Sequence, residues 1–193
     1  MAPVTVDPTS TGKTALRRRL RDTRRSRRPD RDTAAEAAAV ADQVTALVEA
    51  HTHGRVCRVA VYEALPSEPP TQVLVDRLTA AGYEVLVPIT LADRDLDWRV
   101  AGTSEPLGLN AIHDAEVIVA PALAVDRSGN RLGRGGGSYD RALARRRSDA
   151  LVVVLVHDGE LVDVGAVPTE PHDLAVDVAV TSSGGVVRLG SAG

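Results

Sequence analysis

The chain has 193 residues, 44% of them hydrophobic, enough to fill one α/β-sized core and too few for two. Its formal net charge is -3, yet arginines crowd the first third while acids are spread beyond it, which favours a local anion site over a general nucleic-acid-binding surface. The single cysteine, Cys57, excludes an internal disulfide and a cysteine-built metal site.

MAPVTVDPTST opens the chain without an apolar run, and the longest apolar segments, VIVAPALAV from Val117 and ALVVVLV from Ala150, fall far short of a membrane span. A single cytoplasmic domain over 1–193 is expected, monomeric, mobile over 1–10 and 184–193, with neither membrane nor nucleic acid as partner. The only lysine, Lys13, lies in TSTGKT, which matches half of a phosphate loop but has Asp7 where that motif needs glycine, and no strand ahead of it. KTALRRRLRDTRRSRR predicts a helix instead. Leu16 and Leu20 make a narrow apolar stripe, and Arg17, Arg21, Arg24 and Arg28 recur at helical spacing on another face. Taken alone, the segment reads equally as a solvated helix, a loose nucleic-acid-binding arm, or a docked helix offering cations.

Pro29 ends that helix, and Thr33 to Glu36 makes a capping box ahead of Ala37, Val40, Ala41, Val44, Leu47 and Val48. The second helix ends near His51, His53 and Gly54, histidines suited to a last turn by the helix dipole. From Arg55, RVCRVAVYEAL predicts a strand, followed by a proline-rich turn, a helix over 71–81 and a strand YEVLVP from Tyr83. A polar, hairpin-like stretch around LDWRVAG precedes the apolar strand EVIVAP, a glycine loop, a helix over 139–147, the strand LVVVLV and a last strand VDVAVT. This rhythm predicts an α/β fold.

The glycine loop, NRLGRGGGSYDRALARR from Asn130, follows a wholly apolar strand and leads into a helix, the place where open α/β sheets bind ligands. Gly133, Gly135, Gly136 and Gly137 let backbone N–H groups approach an anion, Arg131 and Arg134 add forked donors, and a helix start adds its positive end. Phosphate suits such a loop, although a plain flexible turn has the same composition. A dinucleotide fingerprint would need glycine at position 138, where Ser138 stands.

PALAVDRSGNRLGRGGGSYDRALAR resembles the long signature of 5-formyltetrahydrofolate cyclo-ligases (5,10-methenyltetrahydrofolate synthetases), approximately P-G-L-A-F-D-x-x-G-x-R-L-G-x-G-x-G-Y-Y-D-R. KTALR resembles that family's K-x-x-L-R, SEPPT from Ser67 its E-x-x-T turn, and EPHDLAVD from Glu170 its E-x-H-D-x-x-x-D segment. The four segments keep the family's order across nearly the whole chain.

The resemblance implies a single three-layer α/β/α domain with a mainly parallel central sheet. It implies ATP-dependent conversion of 5-formyltetrahydrofolate to 5,10-methenyltetrahydrofolate, ADP and phosphate, with Mg²⁺ as the second cofactor. By the same resemblance Lys13 and Arg17 bind ATP phosphates, and Arg131, Leu132, Gly133, Arg134, Gly135, Gly136, Gly137, Ser138 and Tyr139 wrap the nucleotide. Arg134 and Lys13 act on the transferred phosphoryl group; Asp140 and Asp177 hold Mg²⁺. Glu63 and Glu68 meet the folate, together with Arg134 and Gly135 to Ser138. His172 and Asp173 fall in the matching segment with a turn-stabilising role as open as a catalytic one. Ser138 and Val125 replace a tyrosine and a phenylalanine of the family pattern, which removes aromatic surface expected on the folate side. Two other readings stand beside this one: a relative that binds a nucleotide or other phosphorylated ligand without folate activity, and an arginine-rich nucleic-acid-binding protein.

Overall fold

The structure is a computed structural model that describes residues 10–170 and 173–190. Two helices lead, α1 (Ser10–Arg27) and α2 (Thr33–Thr52), followed by β1 (Arg58–Val61), α3 (Gln72–Ala80), β2 (Glu84–Thr90) and β3 (Leu96–Val100). Then come β4 (Ala115–Pro121), β5 (Ala124–Asp126), β6 (Arg131–Leu132), α4 (Ser138–Ala144), β7 (Leu151–Leu155), β8 (Leu161–Val162), β9 (Val178–Thr181) and β10 (Gly185–Arg188). Seven strands form one sheet in the order β10-β9-β7-β4-β1-β2-β3, parallel through its centre and antiparallel at both edges. A separate three-stranded sheet, β6-β5-β8, carries the approach to the glycine loop.

Past Arg58 and Glu116 at their amino ends, the central strands β1, β4 and β7 are apolar because both faces are covered. Val59, Val61, Val117, Val119, Val153 and Leu155 pack under α2 and α3 against Val40, Val44, Leu74 and Leu78. Their alternates, Ala60, Ile118, Ala120, Val152 and Val154, face Trp98, Ile112 and Leu143 on the opposite side. That period of two makes the three-layer α/β/α arrangement. The stripe of Leu16 and Leu20 on α1 packs on Leu123, Leu132 and Val167, so the first helix docks beside the small sheet. Among the described residues no helix is long and apolar enough to cross a membrane.

Local chemistry departs from the sequence expectation in three places. Asp32, not Thr33, caps α2, its carboxylate accepting from the Ala35 N–H at 3.0 Å. Residues 185–188, expected to be loose, pair with β9, while 1–9 and 191–193 lie outside the described residues. The helix after the glycine loop is seven residues, Ser138–Ala144, too short for its dipole to carry much of an anion site.

Glu36, freed from capping, faces His157 Nδ1 at 2.6 Å and pairs with Arg31. His157 Nε2 faces the Ser67 carbonyl at 3.1 Å, so both ring nitrogens meet oxygen atoms. Burial alone would raise the Glu36 carboxyl, but the hydrogen bonds from His157 and Arg31 outweigh it and hold its pKa below the ordinary value of 4.5. A depressed carboxylate stabilises the fold above its unfolded pKa and loses that contribution as pH falls through the folded one. The stability gap between the wild type and Glu36→Gln should therefore be full at neutral pH and shrink below about pH 4.5. Urea titrations at stepped pH would show it, and a gap constant down to pH 3 would refute it.

Candidate active site

Chain order reverses in the sheet at β1 and β4, and the crevice beyond their carboxyl ends is where this architecture binds ligands. Three segments meet there. Residues 62–71 follow β1, Pro121 ends β4, and the glycine loop bridges β6 and α4. They enclose a cavity of about 360 Å³ with an apolar wall of Tyr62, Leu65, Pro88, Leu96 and Pro121 facing residues 133–140. A neighbouring cavity of about 390 Å³ shares Glu63, Leu65 and Glu68 with it.

Hydrogen bonds fix the turn after β1. The Tyr62 hydroxyl donates to the Pro69 carbonyl at 2.7 Å, and the Thr71 hydroxyl donates to the Tyr62 carbonyl at 2.7 Å. The Leu65 N–H donates to Glu68 Oε2 at 3.0 Å. Glu68 is buried, and its other oxygen meets Arg134 Nη1 at 3.2 Å, which brings two predicted site residues from opposite walls into contact. Glu63 lines both cavities and pairs with Arg99 at 2.7 Å.

The arginine face of α1 points inward, against the solvated reading. Arg17 Nε donates to the Gly133 carbonyl at 3.0 Å and Arg21 Nη2 to the Arg134 carbonyl at 2.6 Å. Arg24 is buried, donating to Ala122 and forming a two-pronged pair with Glu160. Arg21 stays exposed while making its bond, and Arg28 lies exposed in a short 3-10 turn beyond the helix. Arg24 is committed to this chain's own carbonyl and carboxylate, and Arg17 and Arg21 each give one donor to a carbonyl of the glycine loop, which ties this face to the protein rather than to a nucleic acid.

Within the loop, Gly135 has φ 97° and runs close under Arg17, so a Cβ there would lie 3.4 Å from the Arg17 Nε. Gly137 has φ 73° where the chain turns into α4. The carbonyls of residues 133 and 134 are taken by α1, but among the described residues no backbone N–H of 133–137 donates to a protein acceptor. Such a run of unpaired donors is what an anion cradle requires. Arg131 reinforces it from beneath, donating to the Pro121 carbonyl at 3.1 Å and pairing with Asp140. Among the described residues the buried Tyr139 hydroxyl has no hydrogen-bond partner, and burial, followed by the Glu68 charge, holds the phenol well above its ordinary pKa. It remains a neutral donor at the cavity wall.

Lys13, one turn before Arg17, is buried with Nζ 2.7 Å from Asp173 Oδ2 and 3.5 Å from Glu170 Oε2. Asp173 thus has a partner on α1, while His172 lies outside the described residues. The expected Asp140 and Asp177 pair is not brought together. Asp177 stands before β9 and accepts from the Val152 N–H at 2.7 Å, at the amino end of the parallel strands, whereas Asp140 is at the carboxyl end with Arg131. Val125 is also displaced from its expected place. It is fully buried in the core beneath β5 and lines no part of the cavity, so only Ser138 opens space there.

The sequence pattern of the 5-formyltetrahydrofolate cyclo-ligase family matches residues 9–182. The chain belongs to that family. A 5-formyltetrahydrofolate cyclo-ligase of Mycolicibacterium smegmatis is 41% identical over 150 residues, covering 68% of this chain and 76% of that protein. One from Escherichia coli is 30% identical over 155 residues, covering 71% and 81%. The fold matches a 5,10-methenyltetrahydrofolate synthetase from Mycoplasma pneumoniae with a TM-score of 0.69 at 17% identity, over 86% of this chain and 96% of the other. One from Aquifex aeolicus matches with a TM-score of 0.68 at 21% identity, over 94% of each chain. As a cyclo-ligase, the chain is an enzyme of folate one-carbon chemistry that converts 5-formyltetrahydrofolate to 5,10-methenyltetrahydrofolate at the expense of ATP.

Proposed function

We propose that the two substrates meet in the cavity beneath the glycine loop, with the ATP phosphates on the backbone of 133–137 and the folate against the turn after β1. The run of unpaired loop N–H groups carries this reading. Arg131 and Arg17 border the loop with fixed positive charge, and Lys13 supplies an ammonium from the same face of α1. Glu68 and Glu63 offer carboxylates suited to the ring N–H donors of a reduced pterin, beside an apolar wall that accepts its flat face.

An N-formyl group is amide-like, and its oxygen cannot leave as oxide. Phosphorylating that oxygen forms an O–P bond as the bond to ADP breaks, and N10 then closes the ring while phosphate departs. The protein's part is alignment and charge neutralisation, which needs no side-chain nucleophile. Arg134, tethered to Glu68 in this state, lies where one guanidinium bridges folate site and phosphate loop. An ion held jointly by Asp140 and Asp177 does not fit the arrangement, since the Asp177 carboxylate is bound to backbone at the far end of the strands. A monomer in the cytoplasm fits the single cysteine and the scatter of exposed Val56, Leu65, Val73, Leu107, Val164 and Val186 over separate elements.

Purified protein given ATP and 5-formyltetrahydrofolate is expected to form the methenyl product, followed by its near-ultraviolet absorbance. No ATP-dependent change at high enzyme concentration would remove the reading. Stabilisation against heat by ATP but not by folate would favour a nucleotide-binding relative.

A further inference from the structure

We propose that Arg94 is a specificity residue, binding a carboxylate of the glutamyl end of the folate at the mouth of the glycine-loop cavity; this rests on the site reading above. Arg94 tips the hairpin between β2 and β3 and lines the cavity. Its stem reaches the glycine loop, since a Cβ placed on Gly136 would lie 4.0 Å from Arg94 Cδ. Its backbone has φ 67°, a left-handed conformation that a long side chain adopts at a cost and that glycine or asparagine adopts readily. Strain of this kind clusters where a side chain is held for function.

The charges around Arg94 are otherwise spoken for. Asp95 pairs with Arg145 and with Arg141, the latter at 3.7 Å, and Asp93 Oδ1 accepts from the Asp95 N–H at 2.9 Å. Among the described residues the Arg94 guanidinium has no hydrogen bond or ion pair. An arginine kept in a disfavoured conformation, exposed and unpaired at a cavity mouth, has the makings of an anion hook. Both substrates carry anions, and position separates them. The cations of α1 meet the loop at residues 133–135, whereas Arg94 meets it at Gly136 from the β2–β3 side, among Pro88, Thr90 and Leu96 of the apolar wall. That wall fits the folate, whose only fixed anions are its glutamyl carboxylates.

The test uses Arg94→Gly and Arg94→Asn, both of which suit the left-handed backbone, with 5-formyltetrahydrofolate and with 5-formyltetrahydropteroate, which lacks the glutamyl group. Both variants should melt no lower than the wild type and raise the folate KM about tenfold, the loss of one exposed charge-assisted hydrogen bond, while the ATP KM holds. Removing the glutamyl group should raise the KM of the wild type by a similar factor and leave that of the variants nearly unchanged. An unaltered folate KM, a rise in the ATP KM instead, or equal sensitivity of wild type and variants to glutamyl removal would each overturn the proposal. Absence of ATP-dependent turnover by the wild type would overturn the site reading and this proposal together.

Discussion

Replacing Arg24 by alanine is expected to lower the unfolding free energy by about 3–5 kcal/mol, the range found when one member of a buried ion pair is removed. Arg24 is 3% exposed, and its Nε and Nη2 each lie 2.7 Å from a Glu160 oxygen. Nη2 also donates to the Ala122 carbonyl at 2.6 Å. Deleting the guanidinium leaves the Glu160 carboxylate out of water with, among the described residues, only the His157 backbone N–H as its partner, and takes from the Ala122 carbonyl its Arg24 donor. For a chain of 193 residues that loss lowers the melting temperature by roughly 10 °C. Arg24→Met combined with Glu160→Gln removes both charges and should recover most of it, because the single change is dominated by the uncompensated ion. Denaturant midpoints would measure both. A loss below about 1 kcal/mol, the range of exposed pairs, would show that water reaches this site. Arg17 and Arg21 precede Arg24 on the same face, so the single variant should also loosen the clamp on the glycine loop and shrink the thermal stabilisation by ATP.

The same arginine face shows where sequence reasoning stops. Helical spacing grouped Arg17, Arg21 and Arg24, but spacing cannot say whether a charged face meets water or protein, and their partners lie roughly a hundred residues away in the chain. The central sheet was legible because β7 and, past Glu116, β4 run apolar without a break, being covered on both faces. Strands β6 and β8 are two residues each, too short for any period to register, so the small sheet that anchors α1 went unseen. The capping box failed because Asp32 and Thr33 are both good caps, and a histidine 121 residues away decided between them by claiming Glu36. In the site, glycine and arginine composition located the loop. The separation of Asp140 from Asp177 follows from parallel register, which a motif does not contain. Arg94 left no mark in the sequence, because a left-handed arginine has no signature short of its dihedral angle.

Lys13→Ala is expected to weaken ATP binding by roughly ten- to a hundredfold, the equivalent of about 1.5–3 kcal/mol for hydrogen bonds between an ammonium and phosphate oxygens. The ammonium is already held by Asp173 and Glu170, so the substitution also removes a cation from two half-buried carboxylates, and stability falls with affinity. Alanine alone therefore cannot tell a phosphate ligand from a structural post. Lys13→Arg separates the two. A guanidinium keeps the charge and can pair with two carboxylates, so it should restore most of the melting temperature lost in Lys13→Ala. It cannot reproduce the compact point charge on a flexible stem that a triphosphate meets, so ATP affinity should remain well below that of the wild type. Thermal denaturation without nucleotide and calorimetric titration with ATP, run on both variants, give the two readouts independently. If arginine restores stability and affinity alike, the point charge of lysine is not what ATP requires, Lys13 serves to fasten the amino end of α1 to Glu170 and Asp173, and the phosphate contacts must be assigned to Arg17, Arg131 and the loop backbone without it.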